Sequence, residues 1–208
     1  MSDPHAEQKE QHAALLASAL LLVYIDMRED VLARMSLGLL GALFRPEWVD
    51  RVRVTATDHM ERTAAEVARD VAPDFDVARM DAYLETTADT FSSTWGEGVE
   101  EILAEIEAES QAAVSKALEA PLKAADDDAE LLTNRAANLA AKDAAEASGY
   151  TTKTWHTSSS GDHRPSHVAQ NGMTIPIDAR FPNGLRYPGA PGPPAEVISC
   201  KCYLTFGR

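Results

Sequence analysis

Cysteine is nearly absent from this chain: of 208 residues only Cys200 and Cys202 carry a thiol. Two thiols one residue apart poorly meet the distance and dihedral needs of a disulfide, which disfavours a secreted, disulfide-stapled domain. Basic residues are outnumbered, 19 Lys+Arg against 33 Asp+Glu for a net charge of −14. A surface this acidic repels phosphate backbones over most of its area, so strong nucleic-acid binding is not expected. Long apolar runs are missing too. The most apolar stretch, residues 13–25, ends at Asp26; it is too short to span a bilayer and reads as an amphipathic core helix. The first residues, Met1 to Glu7, lack the basic start of a signal peptide. No glycine-rich phosphate loop, nucleophile elbow or metalloprotease helix motif occurs before residue 150.

What is present divides unevenly. Residues 1–149 hold 13 Lys+Arg against 30 Asp+Glu, whereas residues 150–208 hold 6 against 3. The second stretch also contains seven of the 11 prolines and six of the 11 glycines, a density that prevents long helices. The expected architecture is mainly α: a long acidic helical body over residues 1–149 and a small α+β, loop-rich C-terminal domain over residues 150–208.

In the body, a first helix, broken at most once, is expected from Pro4 to about Phe44, with Gly38 and Gly41 weakening its end and Arg45-Pro46 breaking it. A second spans residues 46–71, with Trp48, Val52, Ala56, Met60, Ala64 and Val67 at helical steps. A third carries the clearest stripe, from Val77 through Met80, Leu84, Ala88, Phe91, Trp95, Val99 and Ile102 to Ile106. Such a stripe packs against the core or a partner helix. Gly96 and Gly98 interrupt it, and a kink or short break is expected there. Pro121 and the run Asp126-Asp127-Asp128 then mark a boundary before a fourth helix over residues 129–148, closed by Gly149.

The tail reads as short elements. Pro165 starts a helix to about Gln170 that ends in an Asn171-Gly172 turn. Residues 173–178 form an edge strand that tolerates Pro176, Pro182-Asn183-Gly184 is a turn, and residues 188–194 are an extended link. Residues 196–206 read as the best strand of the tail. On a strand, residues two apart share a face, which places both cysteines on one side.

Two thiols on one face are candidate zinc ligands, and a tetrahedral site needs further donors. His163 and His167 are the expected ones, with Asp162 or His156 as an alternative. The same residues could serve as an acid-base pair or a metal-dependent nuclease centre, and two small buried thiols with no metal are the plain alternative.

The order of these residues resembles a known family. Trp155, Asp162-x-Arg164-x-x-His167, Gly172, Phe181, the proline-rich link over residues 187–194 and the closing Cys200-x-Cys202 together look like the C-terminal domain of the phage Mu F-type minor head proteins. The likeness covers about the last sixty residues. Members of that family carry an arginine-threonine-glutamate element on the preceding helix; Leu132-Thr133-Asn134 stands there, keeping only the threonine, so the roles of the charged pair do not carry over. His163 sits at a position the pattern leaves open. The resemblance implies a structural virion component, not an enzyme, acting with the portal protein and other head proteins during head assembly. Its implied place is inside the head near the portal, after assembly in the host cytoplasm, with a role in DNA packaging or ejection. Self-association through the helices is the other expected contact. A toxin-like or nuclease enzyme built on Asp162, His167, Cys200 and Cys202 is the alternative.

Overall fold

The computed structural model describes residues 3–39, 43–105, 110–158, 163–197 and 200–208, the side chain of Pro194 excepted. Helices form where apolar residues recur at three- and four-residue steps. Helix α1 (Ala6–Ser36) ends earlier than residue 44 because Gly38 takes a left-handed conformation, φ 74°. There the Gly38 and Leu39 amides donate to the Met35 and Arg34 carbonyls, the closure that glycine makes easy. Helix α2 (Pro46–Val71) occupies the expected span, with its proline in the first turn, where no intrahelical acceptor is lost.

The third segment differs from expectation in two ways. After a 3-10 turn over Val77–Met80, helix α3 (Asp81–Glu105) runs without interruption through Gly96 and Gly98. Gly96 is there for packing: a Cβ would lie 2.5 Å from Val49 Cγ2 on α2, so the missing side chain lets the two helices approach. Ile106 lies outside the described residues. Helix α4 (Gln111–Ala117), capped by the Ser110 hydroxyl accepting from the Ala113 amide, passes almost directly into α5 (Glu119–Ala147).

The boundary expected at Pro121 and Asp126 to Asp128 is therefore absent. Pro121 sits in the first turn of α5, where a missing N–H costs little, and the aspartates lie within the helix, two of them exposed. Gly149, φ 79°, closes α5 as expected. From Leu132 to Ala145 this helix is buried on almost every side, and α1 and α2 both pack on it. The abundance of alanine in α5 is thus a core feature, since small side chains allow close packing on several faces.

A three-stranded antiparallel sheet follows, ordered β2-β1-β3, from β1 (Thr152–His156), β2 (Thr174–Pro176) and β3 (Tyr203–Gly207). Helix α6 (Pro165–Gln170) connects β1 to β2, and a short α7 (Pro194–Val197) precedes β3. β2 is an edge strand, which is where Pro176 is tolerated. The strand expected over residues 196–206 is confined to β3: residues 194–197 turn into helix, and Ile198 and Ser199 lie outside the described residues. Trp155, Phe181, Leu185, Cys200, Cys202 and Leu204 join the helical residues in one continuous apolar core. Among the described residues no helix is long and apolar enough to cross a membrane.

Candidate metal centre

Strand alternation sends Lys153 and Trp155 to the inner face of β1, both 0% exposed, while the residues beside them are half-buried. Trp155 forms the floor of a cluster: its ring meets His167 edge-on with centroids 5.2 Å apart, and Phe181 at 5.0 Å. His167 reaches this position because Pro165 starts α6 and places it in the first turn. Cys200 and Cys202 arrive from the segment between α7 and β3. They are not on a strand, so their shared direction comes from the approach of that segment to α5 and not from pleat geometry. Both are buried free thiols.

The two sulfurs converge on one ring nitrogen. His167 Nδ1 lies 3.5 Å from Cys202 Sγ and 3.7 Å from Cys200 Sγ. The three donor atoms lie within 4.8 Å of one another and form a group able to hold a metal ion. Ligands at about 2.0 to 2.3 Å around a tetrahedral zinc stand roughly 3.5 to 3.8 Å apart. Both nitrogen-to-sulfur spacings match that edge. Two soft thiolates with one imidazole are also the donor types zinc prefers.

The protonation chemistry favours a charged sulfur. A hydrogen bond from Cys202, with burial opposing and His167 assisting, pushes the Cys200 thiol well below its usual range; donating that hydrogen bond, together with burial, pushes Cys202 up. Contact with Cys200, opposed by burial and aided by Glu196, raises His167.

A second layer holds these donors. Glu196 Oε2 lies 3.2 Å from His167 Nε2, close enough for a charge interaction, yet among the described residues that nitrogen has no aligned hydrogen-bond partner. The Glu196 carboxylate accepts from Ser166 Oγ at 3.0 Å and Asn183 Nδ2 at 3.4 Å. On α5, Asn134 Nδ2 donates to the Cys200 carbonyl, and Asn138 Nδ2 donates to the Cys202 carbonyl at 3.1 Å. Asn134 Oδ1 accepts from Asn138 and, at 3.0 Å, from Lys9 Nζ on α1. Both backbone carbonyls of the cysteine pair are thus clamped by amides on the central helix. Lys153 donates to the Ala179 and Arg186 carbonyls, each at 2.7 Å, and lies 5.4 Å from the Phe181 ring centroid, so it fixes the loop that carries the aromatic wall.

Of the expected ligands, His167, Cys200 and Cys202 come together and the other histidines do not. His163 Nε2 lies 2.7 Å from the Ser158 carbonyl, and His156 Nε2 lies 2.9 Å from Thr205 Oγ1 while its ring stacks on Tyr203. Asp162 lies outside the described residues. Three contributors escape a search for metal-ligand residue types, Lys153, Asn134 and Asn138, and Glu196, though of such a type, was not among the expected ligands. The alternation Thr152-Lys153-Thr154-Trp155 is a strand signal that would have placed Lys153 and Trp155 on one face. Asparagines four apart in an alanine helix are likewise a signal, since both are poor helix formers kept for a polar task. Comparison with protein-family models, curated proteins and solved structures returns no match.

Proposed function

We propose that the chain is a structural minor head protein of a tailed phage, of the Mu F-like kind, whose C-terminal module is stapled by zinc on His167, Cys200 and Cys202. One observation carries this reading. Trp155, His167, Phe181, Cys200 and Cys202, spread over nearly fifty positions and drawn from the ordered pattern that resembles that family, meet in one buried cluster with exposures of 0 to 4%. A motif that closes on itself in a core serves to hold a fold together; three protein donors leave one position of a tetrahedral zinc to another group, so it is the burial of the donors and not their number that favours a structural role. Bound there, zinc would supply cross-linking of α6 to the segment before β3. The chain's own residues do the positioning: Glu196 beside the far nitrogen of His167, and Asn134 and Asn138 on the carbonyls of the two cysteines. On this reading the portal protein and other head proteins are its partners, inside the head near the portal.

The test has two arms. The full chain is co-expressed with the portal protein of the same genome and passed over a sizing column, and its metal content is measured by mass spectrometry. Co-elution with the portal and stoichiometric zinc, lost with a fall in Tm on Cys200→Ser/Cys202→Ser, is the expected result. Separate elution together with DNA or RNA hydrolysis that His167→Ala abolishes would replace the structural reading with a nuclease.

A further inference from the structure

Helix α1 is apolar all round where it matters most. Residues 13–25 contain no charged side chain, and a helix of that kind is normally enclosed on all sides. Only one side is covered here. Leu16, Leu20, Tyr24 and Met27 are buried at 0 to 1% exposure against the rest of the fold, while on the opposite side Leu15 is 53% exposed, Leu21 38% and Leu22 64%. At 100° per residue, Ala14, Leu15, Ser18, Leu21, Leu22 and Ile25 fill an arc about 120° wide, the width by which a helix normally faces a core. Scattered exposed leucines are ordinary, but a continuous arc is an interaction surface.

The charges around the arc say what covers it. Glu7 and Glu29 stand in line with it at its two ends, and Glu10 on α1 and Asp126 on α5 flank one side, all four exposed; of the cations beside the arc, Arg28 donates to Ser115 Oγ and Arg51 pairs with Asp26, so the acidic groups are in excess. No lysine or arginine pairs with any of them among the described residues. On that side a cleft of about 940 Å³ is lined by alanines of α1 with Glu10 and Asp126, and its two lysines, Lys9 and Lys201, are paired with Asp3 and Glu130. A second copy of the chain is the wrong occupant. Packed parallel, each terminal glutamate meets itself; packed antiparallel, Glu7 meets Glu29, and either way like charges oppose in an apolar setting.

We infer that the outer face of α1 is a docking surface for an amphipathic helix of another protein, one whose leucine-type stripe is flanked by lysine and arginine. The stripe packs against Leu15, Leu22 and Ile25, and the cations meet Glu7, Glu10, Glu29 and Asp126. This inference does not depend on the metal centre or on a phage origin.

The test uses the full chain and two labelled synthetic helical peptides of about 18 residues, five turns, with one leucine stripe, flanked by lysines in one and glutamates in the other. Fluorescence anisotropy is read for the natural chain, Leu15→Gln/Leu22→Gln and Leu37→Gln; Leu37 is 75% exposed but lies beyond the arc. The lysine peptide binds the natural chain and Leu37→Gln alike, weakens as salt rises, and loses at least about tenfold in affinity with Leu15→Gln/Leu22→Gln. The glutamate peptide binds at least about tenfold more weakly throughout. Equal binding of both peptides, equal loss in the Leu37 variant, or a dimer in sedimentation that Leu15→Gln/Leu22→Gln dissolves would each overturn the inference.

Discussion

Replacing Asn138 separates the clamp on the cysteine segment from every other feature of the site. Its side chain is 2% exposed and donates to the Cys202 carbonyl at 3.1 Å and to the Asn134 carbonyl and Oδ1 at 3.0 Å each. Asn138→Ala leaves the Cys202 carbonyl, in a residue 0% exposed, without this donor, a loss of about 1 to 3 kcal/mol. The space vacated adds less than about 1 kcal/mol at roughly 24 cal/mol per Å³. The total expected is about 1 to 4 kcal/mol. Asn138→Asp keeps the shape but, once ionised, sets an acceptor against three acceptors in a buried place, so its loss exceeds that of the alanine variant. Urea unfolding of the full chain followed by circular dichroism, in EDTA so that no metal contributes, reads both variants. With a slope of about 2 to 3 kcal/mol per molar, the alanine variant shifts the midpoint down by about 1 M and the aspartate variant by more. If aspartate proves milder than alanine, the side chain acts by volume and the clamp is refuted; an unchanged midpoint in both refutes burial of the carbonyl.

Three further outcomes follow from separate parts of the fold. Gly98→Ala, with nothing within 4 Å of the added Cβ, stabilises α3 by about 0.5 to 1 kcal/mol, whereas Gly96→Ala meets Val49 Cγ2 at 2.5 Å and loses about 1 kcal/mol or more; paired thermal melts that rank the two in the opposite order refute the packing account. Burial pushes the Asp128 carboxyl up to about 6, against the hydrogen bond it accepts from Tyr24. A raised carboxyl stabilises the fold only below the unfolded value near 4 and loses that contribution as pH rises through 6, so Asp128→Asn raises the midpoint at pH 7.5 by about 1 kcal/mol, discounted for partial exposure, and not at pH 4; an equal gain at both pH values refutes it. Lys153→Met removes a charged donor from the Ala179 and Arg186 carbonyls and costs about 2 to 4 kcal/mol, while a chain made more stable in urea would show that burying the ammonium outweighs its two bonds.

Periodicity made α2 legible to the residue at both ends, because one apolar face and a first-turn proline are local signals. Gly149 as the closure of α5, Pro165 as the start of α6 and Pro176 on an edge strand were legible for the same reason. Where local signals compete with packing, the reading failed. Pro121 and three aspartates look like a boundary in sequence, yet α5 absorbs them because its buried alanine face has α1 and α2 to pack against. Gly96 looks like a weak point and is a contact, for only a neighbouring helix reveals why a side chain is missing. Residues 196–206 have strand-forming side chains, but α7 (Pro194–Val197) takes up the first of them and so brings the Glu196 carboxylate to His167.

The cysteine pair shows the division most plainly. The sequence by itself determined that two thiols would travel together, that histidines stood within reach in the same loop-rich tail, and that the body would be helical and acidic, since composition, spacing and periodicity are properties of the chain alone. Only the tertiary structure decided that His167 and neither His156 nor His163 faces the sulfurs, that α5 clamps their carbonyls through Asn134 and Asn138, and that α1 keeps an apolar arc toward solvent. Those outcomes rest on contacts between residues tens of positions apart, and such contacts are set by how helices and strands pack, not by any short window of sequence.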